Sequence, residues 1–295
     1  MSTDLSAISE TLYVPMAGRI YAHKYFPEII SDDKLDLIKK QIQKDIDIFK
    51  GQSEYTLLAS AVRSKNIDEY IKAFLDKHPD GIVVNLGCGL ETSFYRLDNG
   101  YALWYEVDLP EVIKLREDLL GKNERDISIA ASIFDKNWLD IIKDAAGENS
   151  VCFTASGLFY YFKKSDIIEL IKNLSTVPNS QLVFDAVNKF GMSRMAKYMK
   201  QLNHEDAKMY FYVNDANELA KEISDKVSVT EERDYYSRLF NKKGMKLSTK
   251  ISMYFSDKFH MVKMIGLKLI GLSMKPTCYS ILPTAFFKLR QITDA

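Results

Sequence analysis

Residues 83–97 read VVNLGCGLETSFYRL, a short apolar run that enters Gly87-Cys88-Gly89 and leaves as a segment with helical spacing. Backbone that must pass close to a ligand needs residues that lack a Cβ and tolerate positive φ, and Gly87 and Gly89 meet both needs. The run feeding them starts at Ile82, after the breaker His78-Pro79-Asp80-Gly81. It is short, β-branched and closed by glycine, as a strand of a buried parallel sheet is. A dinucleotide fingerprint would place a third glycine at position 92, where Thr92 stands, so that reading loses support.

About twenty residues further on, residues 104–110 form a second strand pattern that ends in Glu106-Val107-Asp108. Adjacent parallel strands put the carboxyl end of the second beside the loop of the first, where an acidic side chain can accept both hydroxyls of a ribose. Glu106 and Asp108 share a strand face by the two-residue period. Asp108, nearer the strand end, is the preferred reader. From here strand and helix patterns alternate, with strands expected at 101–107, 127–131, 151–155 and 182–187 and a clear amphipathic helix at 165–174. Further helices are expected at 192–201 and 214–223, and two late strands at 227–230 and 262–270. Such alternation predicts an α/β fold with a doubly wound, mostly parallel sheet.

Before the sheet, the chain opens irregularly. Ser31-Asp32-Asp33 then offers capping side chains to a helix carried by Leu35, Ile38, Ile42, Ile46 and Phe49, and a second helix spans about 56–77. We therefore expect an N-terminal helical cap over residues 1–80 and one compact unit over 81–295.

Forty basic and forty acidic residues cancel, which gives no argument for nucleic acid. The balance is uneven, because residues 241–295 hold ten Lys or Arg against two Asp. A basic, Met-rich stretch at 258–275 fits either a last strand pair with lysines at the sheet margin or a membrane surface, and the first is favoured. Cys88, Cys152 and Cys278 are scattered and odd in number, which fits neither a disulfide framework nor a zinc ribbon. The four histidines, His23, His78, His204 and His260, lack metal-ligand spacing, so no metal is expected. With no secretory pattern at the start and no run of about 18 apolar residues, a cytoplasmic protein without a membrane-spanning segment is expected.

Six segments in order resemble the leucine carboxyl methyltransferases and their bacterial relatives, the tetracenomycin-type polyketide O-methyltransferases. They are TLYVPMAGRIYAHKY (11–25), AVRSKNIDEYI (61–71), NLGCGLETSFYRL (85–97), WYEVDLPEVI (104–113), AASIFDKNW (130–138) and CFTASGLFYYF (152–162). The resemblance implies a seven-stranded, Rossmann-like sheet and S-adenosylmethionine as cofactor. It places Arg63 on the cofactor's methionine carboxylate, Gly87, Cys88 and Gly89 under its methionine part, and Asp108, with Glu106 and Leu109 beside it, at the ribose. Ser132, Ile133, Phe134 and Asp135 fall at the adenine, and Ala155 and Ser156 at the end of the fourth strand. Asp135 fits a helix cap equally well.

Glu91 and Ser93 stand where many relatives carry Asp and Arg, and Ser156 stands where the carboxyl methyltransferase branch often has Glu. If that glutamate pairs with the cofactor's ammonium, this chain must use a neutral oxygen, a backbone carbonyl or Glu91. The change points to a small-molecule acceptor. Methyl transfer needs an oxygen lone pair in line with the sulfur–carbon bond, so positioning and water exclusion carry most of it. A carboxylate acceptor needs no base, whereas a hydroxyl benefits from one, for which His23, Tyr160 and Tyr161 are the candidates. Tyr13, Arg19, Tyr21 and His23 belong to the segment that resembles the family's lid. The alternatives are an NAD-dependent oxidoreductase and a non-catalytic regulatory protein that retains the cofactor. The assembly is open between monomer and homo-oligomer.

Overall fold

The computed structural model describes residues 12–42, 49, 51–201, 209–239 and 243–270. Three helices come first, α1 (Tyr13–Tyr25), α2 (Lys34–Ile42) and α3 (Glu54–Leu75). The sheet then starts with β1 (Ile82–Leu86), α4 (Ser93–Leu97), β2 (Leu103–Asp108), α5 (Pro110–Leu120), β3 (Asp126–Ala130), α6 (Asn137–Ala146) and β4 (Val151–Ala155). A 3-10 turn, Phe159–Tyr161, leads to α7 (Lys164–Leu174), β5 (Ser180–Val187), α8 (Lys189–Gln201) and α9 (Ala216–Ile223). Last come β6 (Val227–Asp234), α10 (Leu247–Lys258) and β7 (Val262–Leu269).

The strands form one seven-stranded sheet in the order β3-β2-β1-β4-β5-β7-β6. The first five are parallel, and β7 runs antiparallel to both β5 and β6. This is the doubly wound, mostly parallel sheet the alternation predicts, with β7 inserted antiparallel between β5 and β6. Alternation within strands feeds two cores. Val84 and Leu86 pack with Trp138, Phe153, Ile171 and Leu219 on one face. Val83, Trp104, Cys152 and Val183 pack on the other face against Leu58, Val62 and Ile71 of α3. The N-terminal helices are thus the cover of one sheet face.

Helix α1 lies where the sequence reading expects irregular chain. Pro15 sits in its first turn, where the missing N–H costs nothing, so it does not break the helix. Tyr13, Met16, Ala17, Ile20 and Ala22 are all buried, and burial on several sides blurs the helical period. Gly18 is what allows α1 to touch α3, since a Cβ there would come within 2.3 Å of the Leu57 carbonyl oxygen. The expected α2 extends to Phe49, but 43–48 lie outside the described residues, as do Cys278, His204 and 271–275 of the basic stretch. Ser53 caps α3 by accepting the Thr56 N–H at 3.2 Å.

Candidate functional site

Parallel pairing decides where the site residues meet. Leu86 is level with Val107 and with Ala155, and Ala155 is level with Phe184, so the residues that follow these strands emerge along one edge. The chain order reverses between β1 and β4, and crevices at such switch points bind ligands. The turn after β1 has Gly87 at φ +59° and Gly89 at φ +50°. A Cβ on Gly87 would strike the Leu158 side chain at 2.5 Å. The Gly87 and Cys88 amides both donate to the Val107 carbonyl, at 2.8 and 3.3 Å, which ties the turn to β2. Burial pushes the Cys88 thiol far up, so it stays protonated and acts as a small apolar group.

At the end of β2, Asp108 accepts the Gly89 N–H at 2.8 Å on one oxygen and the Leu109 N–H at 2.7 Å on the other. A carboxylate offers about four acceptor positions, so one per oxygen remains for a ligand's hydroxyls. Leu109 is exposed beside it. Glu106, one strand period deeper than Asp108, is wholly buried and faces protein partners rather than the strand edge. It accepts from the Asn85 amide at 2.8 Å and lies 3.3 Å from Arg116, itself buried on α5. Burial, only partly offset by Arg116, raises the Glu106 carboxyl above the ordinary carboxylate range. Arg116 also donates to the carbonyls of Gly89, at 3.4 Å, and Glu91, and so braces the turn from below.

Glu91 was one option for a cofactor ammonium, and the structure spends it elsewhere. It accepts from Arg19 of α1 at 3.0 Å, Ser64 of α3 at 2.8 Å and Arg96 of α4 at 2.8 Å. Burial alone would raise its carboxyl, but the two guanidiniums outweigh that and hold it below the ordinary carboxylate range. Arg96 further pairs with Asp68 at 2.7 Å and Asp32 at 2.9 Å. These charges clamp the N-terminal helices onto the turn, and Tyr13, Met16 and Ile20 pack with Leu90 above it.

Arg63 is different. Its nearest charge partner is Asp185 at 3.6 Å, beyond hydrogen-bond distance, and among the described residues its guanidinium donates no hydrogen bond. Its side chain is 16% exposed and lies over Gly157, where a Cβ would meet a guanidinium nitrogen at 2.3 Å. Arg19, Arg96 and Arg116 are spent on protein acceptors, whereas Arg63 keeps its fork open at the strand edge. Asp185 accepts the Gly157 N–H at 2.6 Å and the Tyr160 hydroxyl. Sequence reasoning passed over Asp185, although a lone acid in the strand SQLVFDAV was the signal that marks it.

The candidates for proton transfer fare poorly. Burial and Asp185 push the Tyr160 phenol far up, and burial raises that of Tyr161, so both keep their protons at neutral pH. His23 is held by protein partners. Its Nδ1 accepts the Asp32 N–H at 3.0 Å and its Nε2 lies 3.7 Å from Asp36, so the ring fastens the end of α1 to the start of α2. After β3, Asp135 is exposed and accepts the Ser132 N–H at 3.2 Å, while Ser132 accepts the Phe134 N–H at 3.3 Å. Asp135 therefore shapes its own loop, and α6 follows its N-cap Lys136 without a side-chain cap. Ile133 is buried in the core, and the exposed Phe134 meets Phe162 edge-on at 4.9 Å. Ala155 is buried and Ser156 half-buried at the end of β4.

Among the described residues no group of three His, Cys, Asp or Glu is placed to hold a metal, and no helix is long and apolar enough to cross a membrane. The family model for leucine carboxyl methyltransferases matches residues 6–175. The tetracenomycin polyketide synthesis O-methyltransferase TcmP of Streptomyces glaucescens is 27% identical over 200 residues, which is 67% of this chain and 72% of that protein. A solved structure from Thermobifida fusca YX covers 92% of this chain and 100% of its own at a TM-score of 0.52 and 14% identity. A DUF574 family protein from Streptomyces avermitilis MA-4680 covers 85% and 96% at a TM-score of 0.53 and 12% identity. Both structures share the fold.

Proposed function

Because the chain belongs to the leucine carboxyl methyltransferase family, we propose that it transfers a methyl group from S-adenosylmethionine to an oxygen, a carboxylate or hydroxyl, of a small molecule. The observation that carries this reading is Arg63, a largely buried guanidinium with unspent donors at the switch-point edge. A planar fork in that state suits a ligand carboxylate such as that of the cofactor's methionine. The spare acceptor positions of Asp108 suit ribose hydroxyls, and the positive-φ turn at Gly87 and Gly89 leaves room for close approach. The loop Ser132 to Asp135 and the strand end at Ala155 and Ser156 complete the binding edge for the adenine and the methionine part. When bound, S-adenosylmethionine supplies a methyl group on a positively charged sulfur. The chain's own work is to hold the acceptor oxygen in line and to exclude water.

The relative named for tetracenomycin polyketide synthesis supports a small-molecule acceptor. The protonated state of Tyr160 and Tyr161 and the engagement of His23 favour a carboxylate over a hydroxyl, because a carboxylate is ionised at neutral pH and needs no base. Calorimetric titration with S-adenosylmethionine, S-adenosylhomocysteine and NAD in one buffer tests the reading. Binding of the first two without heat from NAD is expected. Binding of NAD alone would overturn it.

A further inference from the structure

Ser156 cannot carry the negative charge that the family often places at the end of the fourth strand, and Glu91 is held by two arginines and a serine. The pairing of β4 with β5 points to another carboxylate. Ala155, the last residue of β4, is level with Phe184, and the Gly157 amide just beyond β4 donates to Asp185 at 2.6 Å, so Asp185 lies beside the segment that carries Ser156. We propose that Asp185 supplies the carboxylate that Ser156 lacks and holds the ammonium of the cofactor's methionine group, next to the carboxylate held by Arg63. This inference rests on the methyltransferase reading above and names a residue that reading does not require.

Three features of the site support it. First, Asp185 is the one charged residue in β5, and its side chain is 1% exposed. A buried acid needs partners, and here those partners leave capacity. The Gly157 amide and the Tyr160 hydroxyl occupy one position on each oxygen, and two positions remain. Second, the guanidinium of Arg63 stands 3.6 Å away, which gives attraction without a shared hydrogen bond. The pair shares no hydrogen bond, so a ligand's charges need displace none between them. Third, the two charges match an amino-acid head in sign and arrangement. Separating a buried ion pair is costly unless each charge is met again, and a zwitterion meets both, its carboxylate at Arg63 and its ammonium at Asp185. Gly157, at φ +68°, turns the backbone so that its amide points to Asp185, and only its lack of a side chain leaves Arg63 its place.

The test uses three ligands that differ only in the amino-acid head. S-adenosylhomocysteine has both charges, its deamino analogue keeps the carboxylate and lacks the ammonium, and 5′-methylthioadenosine lacks the whole head. Asp185→Asn should weaken S-adenosylhomocysteine by about 10- to 100-fold, as loss of a charge-assisted contact does. The same variant should bind 5′-methylthioadenosine within about twofold of the wild type and should no longer distinguish S-adenosylhomocysteine from the deamino analogue. Adding Ser156→Glu to Asp185→Asn should recover most of the lost affinity by returning the charge to the neighbouring strand. Equal weakening of all three ligands would make Asp185 a structural residue and overturn the proposal, as would unchanged S-adenosylhomocysteine affinity. Should Asp185→Asn fail to fold, Asp185→Ser takes its place and must lose the same discrimination, and equal wild-type affinity for S-adenosylhomocysteine and its deamino analogue refutes an ammonium site. A wild type that binds no S-adenosylhomocysteine overturns the methyltransferase reading and this inference with it. Binding without discrimination overturns only the inference.

Discussion

Replacing Arg63 with methionine keeps most of the stem that fills the space over Gly157 and removes only the charge and its donors. Two effects should separate. In the protein without ligand, Asp185 stays buried with the Gly157 amide and the Tyr160 hydroxyl but loses its cation. Removing one member of a fully buried, hydrogen-bonded pair costs about 3–5 kcal/mol. This pair has no hydrogen bond at 3.6 Å and the arginine is 16% exposed, so about 2 kcal/mol is the expected loss of stability. With ligand, the variant forfeits a charge-assisted contact of about 1.5–3 kcal/mol, which weakens S-adenosylhomocysteine by about 10- to 150-fold. Urea denaturation reads the first effect and calorimetric titration the second. Adding Asp185→Asn should recover much of the stability, since no buried charge is then left alone, while affinity stays low. A folded Arg63→Met protein with wild-type affinity would refute the reasoning and move the carboxylate site elsewhere.

Tyr161→Phe should leave turnover within a few-fold, because a phenol raised by burial takes no proton at neutral pH; a loss of about 100-fold or more in kcat would restore its role as a general base. Glu106 should make the fold less stable as pH rises. Burial holds its folded carboxyl above the unfolded value near 4.3, so above that pH the folded chain keeps a proton that the unfolded chain has released. Measured from about pH 5 to 8, the wild type should lose ground against Glu106→Gln by at most about 1.4 kcal/mol per unit, and a pH-independent difference would contradict the burial argument. Gly18→Ala should cost about 1–3 kcal/mol, because the new methyl group meets backbone of α3; an unchanged denaturation midpoint would mean that α1 can shift freely.

The parallel part of the sheet was legible because a strand buried on both faces leaves a continuous apolar run and a glycine turn at its end. All four central strand expectations fall on β2 to β5, and the late apolar segments on β6 and β7. The reversed direction of β7 was not legible, since antiparallel and parallel strands have the same two-residue period. Helix α1 was missed because a proline in the first turn looks like a breaker and burial on several sides hides the amphipathic face.

The same division holds at the site. Sequence alone determined that Gly87, Gly89 and Asp108 come together, because strand order and the ends of adjacent parallel strands follow from local pattern and right-handed crossovers. It could not rank Glu106 and Asp108 beyond their distance from the strand end, because period two puts both on one face and says nothing of depth. Tertiary structure decided that one is buried against Arg116 and the other anchors the turn. It alone also decided which arginine is open. Arg19, Arg63, Arg96 and Arg116 are equal as letters, and whether a guanidinium is spent depends on acceptors far away in the chain, such as Glu91 for Arg19 and the Gly89 carbonyl for Arg116. Hydrogen-bond capacity is a property of neighbours in space, so the residue left with donors for a ligand emerges only when the chain has folded.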